Sequence, residues 1–207
     1  MSEQTNLSRG LDAFAEQFAA QIANAGPPSS EHAVHFCLAL GLQAAYSLAP
    51  GAVVFEWPRG TKRIDLWVPP LDLAIEVKYR RPIPSGYNSP ATQLFGQLLA
   101  DFNKVAELNV VNRVVLFVSD APGMTYLRNS GLLPLSVDGS GLLTTRKVQA
   151  LPKTASAQAL SAGEWRDLEA RLLWMKQRAA WHLLAWAVNT APISQTEDTQ
   201  SGLASTP

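Results

Sequence analysis

The sequence predicts one α/β domain built on a mixed β-sheet flanked by helices. Three observations carry that expectation. Helical and strand-like patterns follow one another in the order ααβββαβ(α)βα, with strands clustered between helices. The run RVVLFVS at 113–119 is apolar almost throughout, as suits a central strand covered on both faces. The chain has 207 residues with 47% hydrophobic and 16% charged content, enough for one packed core and unlike a disordered composition.

Leu11, Phe14, Phe18 and Ile22 recur at helical spacing and predict an opening amphipathic helix. GPPSS at 26–30 ends it, because Gly26 suits a left-handed cap and the prolines block continuation. Ser29 or Ser30 then caps a second helix over 31–48, with Val34, Leu38, Leu42 and Ala45 on one stripe. AVVFEWP at 52–58 reads as a strand, RGTK as a turn, and two more strands follow at 63–68 and 73–79. RRPIPSGYNSP at 80–90 is a loop by its Pro, Gly, Ser and Asn content. A helix at 91–108 leads to the central strand at 113–119. A short helix or turn follows at 121–131, and an edge strand at 142–151.

GEWRDLEARLLWMKQRAAWHLLAWAV, about 163–188, reads as a long C-terminal amphipathic helix. It carries Trp165, Trp174, Trp181 and Trp186 with Leu168, Leu172, Met175 and Leu183. This apolar area is expected to cover the sheet or the first two helices, with a homodimer face as the second option. The domain is expected to span 1–188 around a core at 31–120, with the polar stretch 189–207 as a disordered tail.

Formal net charge is zero, which excludes a whole-molecule attraction to nucleic acid and leaves local basic patches. The single cysteine, Cys37, excludes an internal disulfide and a cysteine zinc site. His32, His35 and His182 do not form a zinc set by spacing. Charges break the N-terminal MSEQTNLSRGLDAFAEQ, so no signal-peptide core is expected there, and no long uncharged apolar run exists. A cytoplasmic protein with no membrane partner is the expectation.

The chemistry is concentrated in RIDLWVPPLDLAIEVKYRRP, 63–82. If Pro69–Asp72 forms the turn, Val68 faces Leu73, Leu66 faces Ile75 and Ile64 faces Val77, giving six aliphatic side chains on one face. On the other face Trp67 meets Ala74, Asp65 meets Glu76, and Arg63 meets Lys78. Like charges directly opposite are destabilising, and each carboxylate raises the pKa of the other. Something positive belongs between them. Lys78 is one candidate and a divalent cation is another, Mg²⁺ or Mn²⁺ by the hard oxygen donors.

RIDLWV…AIEVKY resembles the core of the PD-(D/E)XK nuclease superfamily, the restriction-endonuclease-like fold. The resemblance covers about 31–120. It implies that Asp65 and Glu76 hold the metal with the carbonyl of Val77, and that Lys78 positions the attacking water or stabilises the phosphate. It also implies a Glu on the helix before the sheet, where Glu31 stands, and a Gln on the helix after the lysine, where Gln97 stands with Gln93 one turn earlier. Ile64 occupies the place that the motif name gives to proline. The implied activity is that of a Mg²⁺- or Mn²⁺-dependent nuclease acting on DNA. The alternative is an inactive nuclease-fold subunit that binds nucleic acid or a protein.

Each residue also has an ordinary reading. Glu76 and Lys78 suit a cross-strand salt network on a solvated edge. Glu31 suits the first turn of a helix by dipole alone. Gln93, Gln97 and Asp101 suit the polar face of an amphipathic helix, and Glu56 suits either the site or solvent. Arg59, Lys62, Arg63, Arg80 and Arg81, with Tyr79, Tyr87 and Asn88, form either a grip on a phosphate backbone or a solubilising surface. Nothing here resembles a base-reading helix or zinc module, so base-specific recognition has no support in the sequence.

Overall fold

The structure, a computed structural model, describes residues 3–80, 91–161 and 163–190. The chain runs α1 (Glu3–Ala25), α2 (Glu31–Tyr46), β1 (Val54–Arg59), β2 (Lys62–Val68), a 3-10 turn (Pro69–Leu71), β3 (Leu73–Tyr79), α3 (Ala91–Ala106) and β4 (Asn112–Asp120). It continues through α4 (Ala121–Ser130), β5 (Ser140–Leu143), α5 (Thr145–Gln149), α6 (Lys153–Leu160), β6 (Leu168–Arg178) and β7 (Trp181–Thr190). The described strands form one mixed sheet of seven, in the order β1-β2-β3-β4-β7-β6-β5. β1, β2 and β3 are an antiparallel meander, α3 carries the chain over to β4 parallel to β3, and β7 pairs antiparallel with both β4 and β6.

Helices cover both faces. Leu11, Phe14 and Phe18 of α1 and Val34, Leu38 and Leu42 of α2 pack on one side, against Leu66, Ile75, Val77 and Leu116. Phe95, Leu98, Leu99 and Phe102 of α3 pack on the other, with the short helices and Val115, Phe117 and Trp186. Gly41 lets α1 and α2 approach closely, since a Cβ there would stand 2.4 Å from the backbone nitrogen of Phe14. Gly26, at φ +79°, follows the end of α1, and Ser30 stands at the N-cap of α2. β4, buried along most of its length, is the central strand that its apolar run predicts.

Residues 168–190 are a β-hairpin and not the expected helix. Leu168, Ala170, Leu172 and Trp174 are buried while Glu169, Arg171 and Leu173 between them are only half-buried, a period of two. A bulge between Leu172 and Trp174 turns these two to opposite layers. Trp165, Trp174, Trp181 and Trp186 are all buried in the chain, so they do not make the Trp-rich helical dimer face considered above. Asn189 and Thr190, assigned to the tail by sequence, belong to β7, and the rest of that stretch lies outside the described residues.

The expected edge strand at 142–151 is divided. β5 ends at Leu143, and Thr144 caps α5 by accepting from the Lys147 N–H at 3.2 Å. No helix among the described residues is long and apolar enough to cross a membrane.

Candidate functional site

The predicted hairpin register holds for Val68–Leu73, Trp67–Ala74 and Leu66–Ile75, around a turn with Asp72 at φ +41°. There the ladder stops, and the expected Ile64–Val77 and Arg63–Lys78 pairs lie beyond it. Ile64 is not on the aliphatic face with Leu66. It packs with Ala74 and Val110, beside Trp57 and Trp67. The cause is a break in the pleat: β1 pairs Phe55 with Leu66 and Trp57 with Ile64, but Glu56 between them sits at φ +50° opposite Asp65.

Carboxylates take over where the ladder ends. The Asp65 N–H donates to Glu76 Oε1 at 3.2 Å, and the Val77 N–H donates to Asp65 Oδ2 at 2.8 Å. One step further along β3, the Tyr79 N–H donates to Glu31 Oε2 at 2.9 Å. Each bond satisfies a backbone donor that the departing strand leaves behind. The opening between β2 and β3 joins the two helical layers. Glu31 and His35 reach it from α2, one helical turn apart, and Asp101 and Lys104 reach it from α3. Lys78 spans the opening, with its Nζ 3.8 Å from Glu31 Oε2 and 3.4 Å from Asp101 Oδ2. Lys104 Nζ is 2.7 Å from Glu76 Oε1.

Charge and burial decide the protonation behaviour. Glu76 is 2% exposed. Burial first, then Asp65 and Asp101, push its pKa up to about 9 against the pull of Lys104. Burial also raises Asp101, to about 6, although Lys78 works the other way. For Lys78 burial disfavours the charge, but Asp101, Glu31 and Asp65 outweigh it and raise the pKa above the ordinary lysine value. Burial lowers the pKa of His35 despite Asp65 and Glu31 nearby.

Glu31, His35 and Asp65 each place one ligand atom within 4.8 Å of the others. His35 does not stand out in sequence, because three scattered histidines make no zinc set. The usable signal is narrower: Glu31 and His35 stand four apart on one helix, so they share a face. Lys104 follows Asp101 by three on α3 and is found by the same rule.

The remaining predicted residues divide. Gln97 is half-buried one turn before Asp101, with no hydrogen bond to the cluster among the described residues. Arg63 is exposed on β2. Tyr79 was expected to touch nucleic acid, but its ring is buried and its hydroxyl donates to the Pro28 carbonyl at 2.7 Å, so it is a core residue. Arg80 is tied to Asp120 at 2.8 Å. Arg81, Tyr87 and Asn88 lie outside the described residues. No family model matches this chain, and no curated protein or solved structure matches it.

Proposed function

We propose that this chain is a Mg²⁺- or Mn²⁺-dependent nuclease that hydrolyses phosphodiester bonds in DNA, with Asp65, Glu76 and Lys78 at its centre and Glu31 beside them. The observation that carries the reading is the meeting of these four side chains where β2 and β3 part. The run of α2, an antiparallel β1-β2-β3 meander, α3 and a parallel β4 supports the resemblance to the PD-(D/E)XK superfamily.

The residues suit a divalent cation on grounds of charge. Among the described residues, the cations that Glu31, Glu76 and Asp101 meet are Lys78 and Lys104, and Asp65 meets the His35 imidazole. Fully ionised, this cluster carries an excess of two negative charges in a largely buried place, and that excess matches one divalent ion. Asp65 and Glu76 would hold it, with Glu31 adjoining. The backbone of Val77 turns to the same opening, because the N–H and C=O of one strand residue point the same way and this N–H bonds Asp65. When bound, such a cation supplies neutralisation of charge on the phosphate and a more acidic water.

Lys78 holds a proton firmly and sits between the two helical layers, placed to stabilise charge on the phosphate or to orient the attacking water. Glu31 and Asp65, by bonding the free N–H groups of β3, fix the edge on which the phosphate would rest. Arg63, and by sequence Arg81, offer positive charge for the nucleic-acid backbone.

One observation favours a second reading. Glu76 already has Lys104 as an internal counter-ion at 2.7 Å, as a nuclease-fold subunit that binds without cutting would need. A direct assay separates the two. Purified protein is incubated with circular single- and double-stranded DNA and with RNA, in Mg²⁺, Mn²⁺ or EDTA. Cleavage of DNA that EDTA abolishes supports the nuclease. Binding with no cleavage of any substrate in either metal overturns it in favour of the subunit. Cleavage confined to RNA would replace DNA as the substrate.

A further inference from the structure

We propose that His35 is a metal ligand in this centre, donating through Nε2, and that it makes the site select Mn²⁺ or a similar borderline ion over Mg²⁺. The inference rests on reading the carboxylates as a cation site, and it goes beyond the residues that the resemblance implies. His35 is 3% exposed, and its Nε2 has no hydrogen-bond partner. A buried polar nitrogen without a partner is costly, so its position requires a reason. It lies 3.7 Å from Asp65 Oδ2, too far for a good hydrogen bond but suited to two ligands of one ion. Glu31, four residues earlier, brings a carboxylate oxygen to the same place, so all three ligand atoms fall within 4.8 Å of one another.

The donor set decides the ion. Two carboxylates alone suit Mg²⁺, which takes oxygen ligands and keeps much of its water. An imidazole nitrogen adds little for Mg²⁺ but strengthens binding of Mn²⁺ and later first-row ions. The position sets the cation at Asp65, between Glu31 and His35, with Glu76 adjoining through the Asp65 N–H.

The test uses the full chain and Mn²⁺ itself. Electron spin-echo spectroscopy of bound Mn²⁺, with and without ¹⁵N-labelled histidine, reads a nitrogen ligand directly. The expected result is a histidine nitrogen coupling that survives His32→Gln, which controls for the exposed neighbouring ring. Titration calorimetry then compares Mn²⁺ and Mg²⁺ on the wild type and on His35→Gln. The variant should lose about 10–100-fold in Mn²⁺ affinity and much less in Mg²⁺ affinity, the order expected when a ligand's environment is removed.

Absence of nitrogen coupling, or an unchanged Mn²⁺-to-Mg²⁺ ratio in a folded His35→Gln, overturns the proposal. If the variant fails to fold, the wild-type spectrum decides alone. The nuclease reading fails separately. Mg²⁺-supported cleavage without nitrogen coupling leaves it standing and removes His35, whereas coupling without cleavage does the reverse.

Discussion

Lys104 and Glu76 form the closest ion pair of the cluster, with Nζ 2.7 Å from Oε1 and Glu76 almost fully enclosed. Lys104→Gln takes away the cation that Glu76 faces. The variant should lose about 1–3 kcal/mol of metal-free stability, since the buried Glu76 carboxyl loses the partner that its Oε1 faces. It should also bind a divalent cation more tightly, because no lysine then competes with the cation for the Glu76 carboxylate. Thermal melts with and without Mn²⁺ check both directions at once. A variant as stable as wild type that binds Mn²⁺ no better would mean that the pair is only a surface contact.

Lys78 and the carboxylates should separate chemistry from binding. Asp65→Asn and Glu76→Gln each remove a negative charge and should weaken Mn²⁺ binding. Lys78→Ala leaves the carboxylates in place, so affinity should hold or rise while cleavage falls by roughly 10²–10³. Calorimetry and a cleavage assay on the three variants decide it. Wild-type cutting by Lys78→Ala would remove the catalytic role.

Glu31→Gln offers a finer separation. The amide keeps an oxygen to accept the Tyr79 N–H, so the fold should be nearly undisturbed. Only the charge is lost. Weaker Mn²⁺ binding with an unchanged melting temperature is the expected outcome. Unchanged binding would leave Glu31 as a helix-start residue bonded to β3.

The pH dependence of metal-free stability has a definite sign. Glu76 titrates near 9 in the folded chain against an ordinary 4.5, so folding favours its protonated form. Its contribution is complete below about 4.5 and is lost as the pH rises toward 9. Asp101 acts in the same direction between 3.8 and about 6. His35, with its pKa lowered, acts oppositely, and its effect is lost as the pH falls below 6.5. In EDTA the melting temperature should therefore decline between pH 6.5 and 9. Glu76→Gln should flatten that decline. A profile identical in the variant would show that Glu76 is ionised at neutral pH even without a metal.

Gly41→Ala tests how the helical layer supports the site. The added methyl would meet the backbone of Phe14, which cannot move as a side-chain tip can. A loss of about 1–3 kcal/mol is expected from overpacking, read by chemical denaturation. α2 also carries Glu31 and His35, so Mn²⁺ affinity should fall with it.

Strong local signals made part of this molecule legible from sequence. The apolar run of β4, the Gly26 stop after α1 and the Pro69–Asp72 turn each have one physical meaning, and the register around Leu66 and Ile75 followed from them. The C-terminal hairpin was not legible because its turn is Ala179–Ala180, without the Gly or Asn that usually marks one, and Ala179 takes φ +51° in spite of its side chain. Alanine is also the best helix former, so the two strands read as one helix. At the site, Asp65, Glu76 and Lys78 stood out as charges among aliphatic neighbours. His35 and Lys104 did not, because their role comes from two helices meeting through a gap in the sheet, which strand alternation does not encode.

The place of β7 in the sheet bears on how the chain is made. A ribosome delivers β4 long before Trp181–Thr190, yet β4 has β7 as its second neighbour. Until that last described strand emerges, one edge of β4, lined by Val114, Val115, Leu116, Phe117 and Val118, has no partner within the chain. Such an edge is a template for pairing with other molecules. The elements that bring Asp65, Glu76 and Lys78 together, α2, β2, β3 and α3, are all translated before this edge exists. A nascent chain of this protein therefore needs its β4 edge protected over the stretch of synthesis between Asp120 and Trp181.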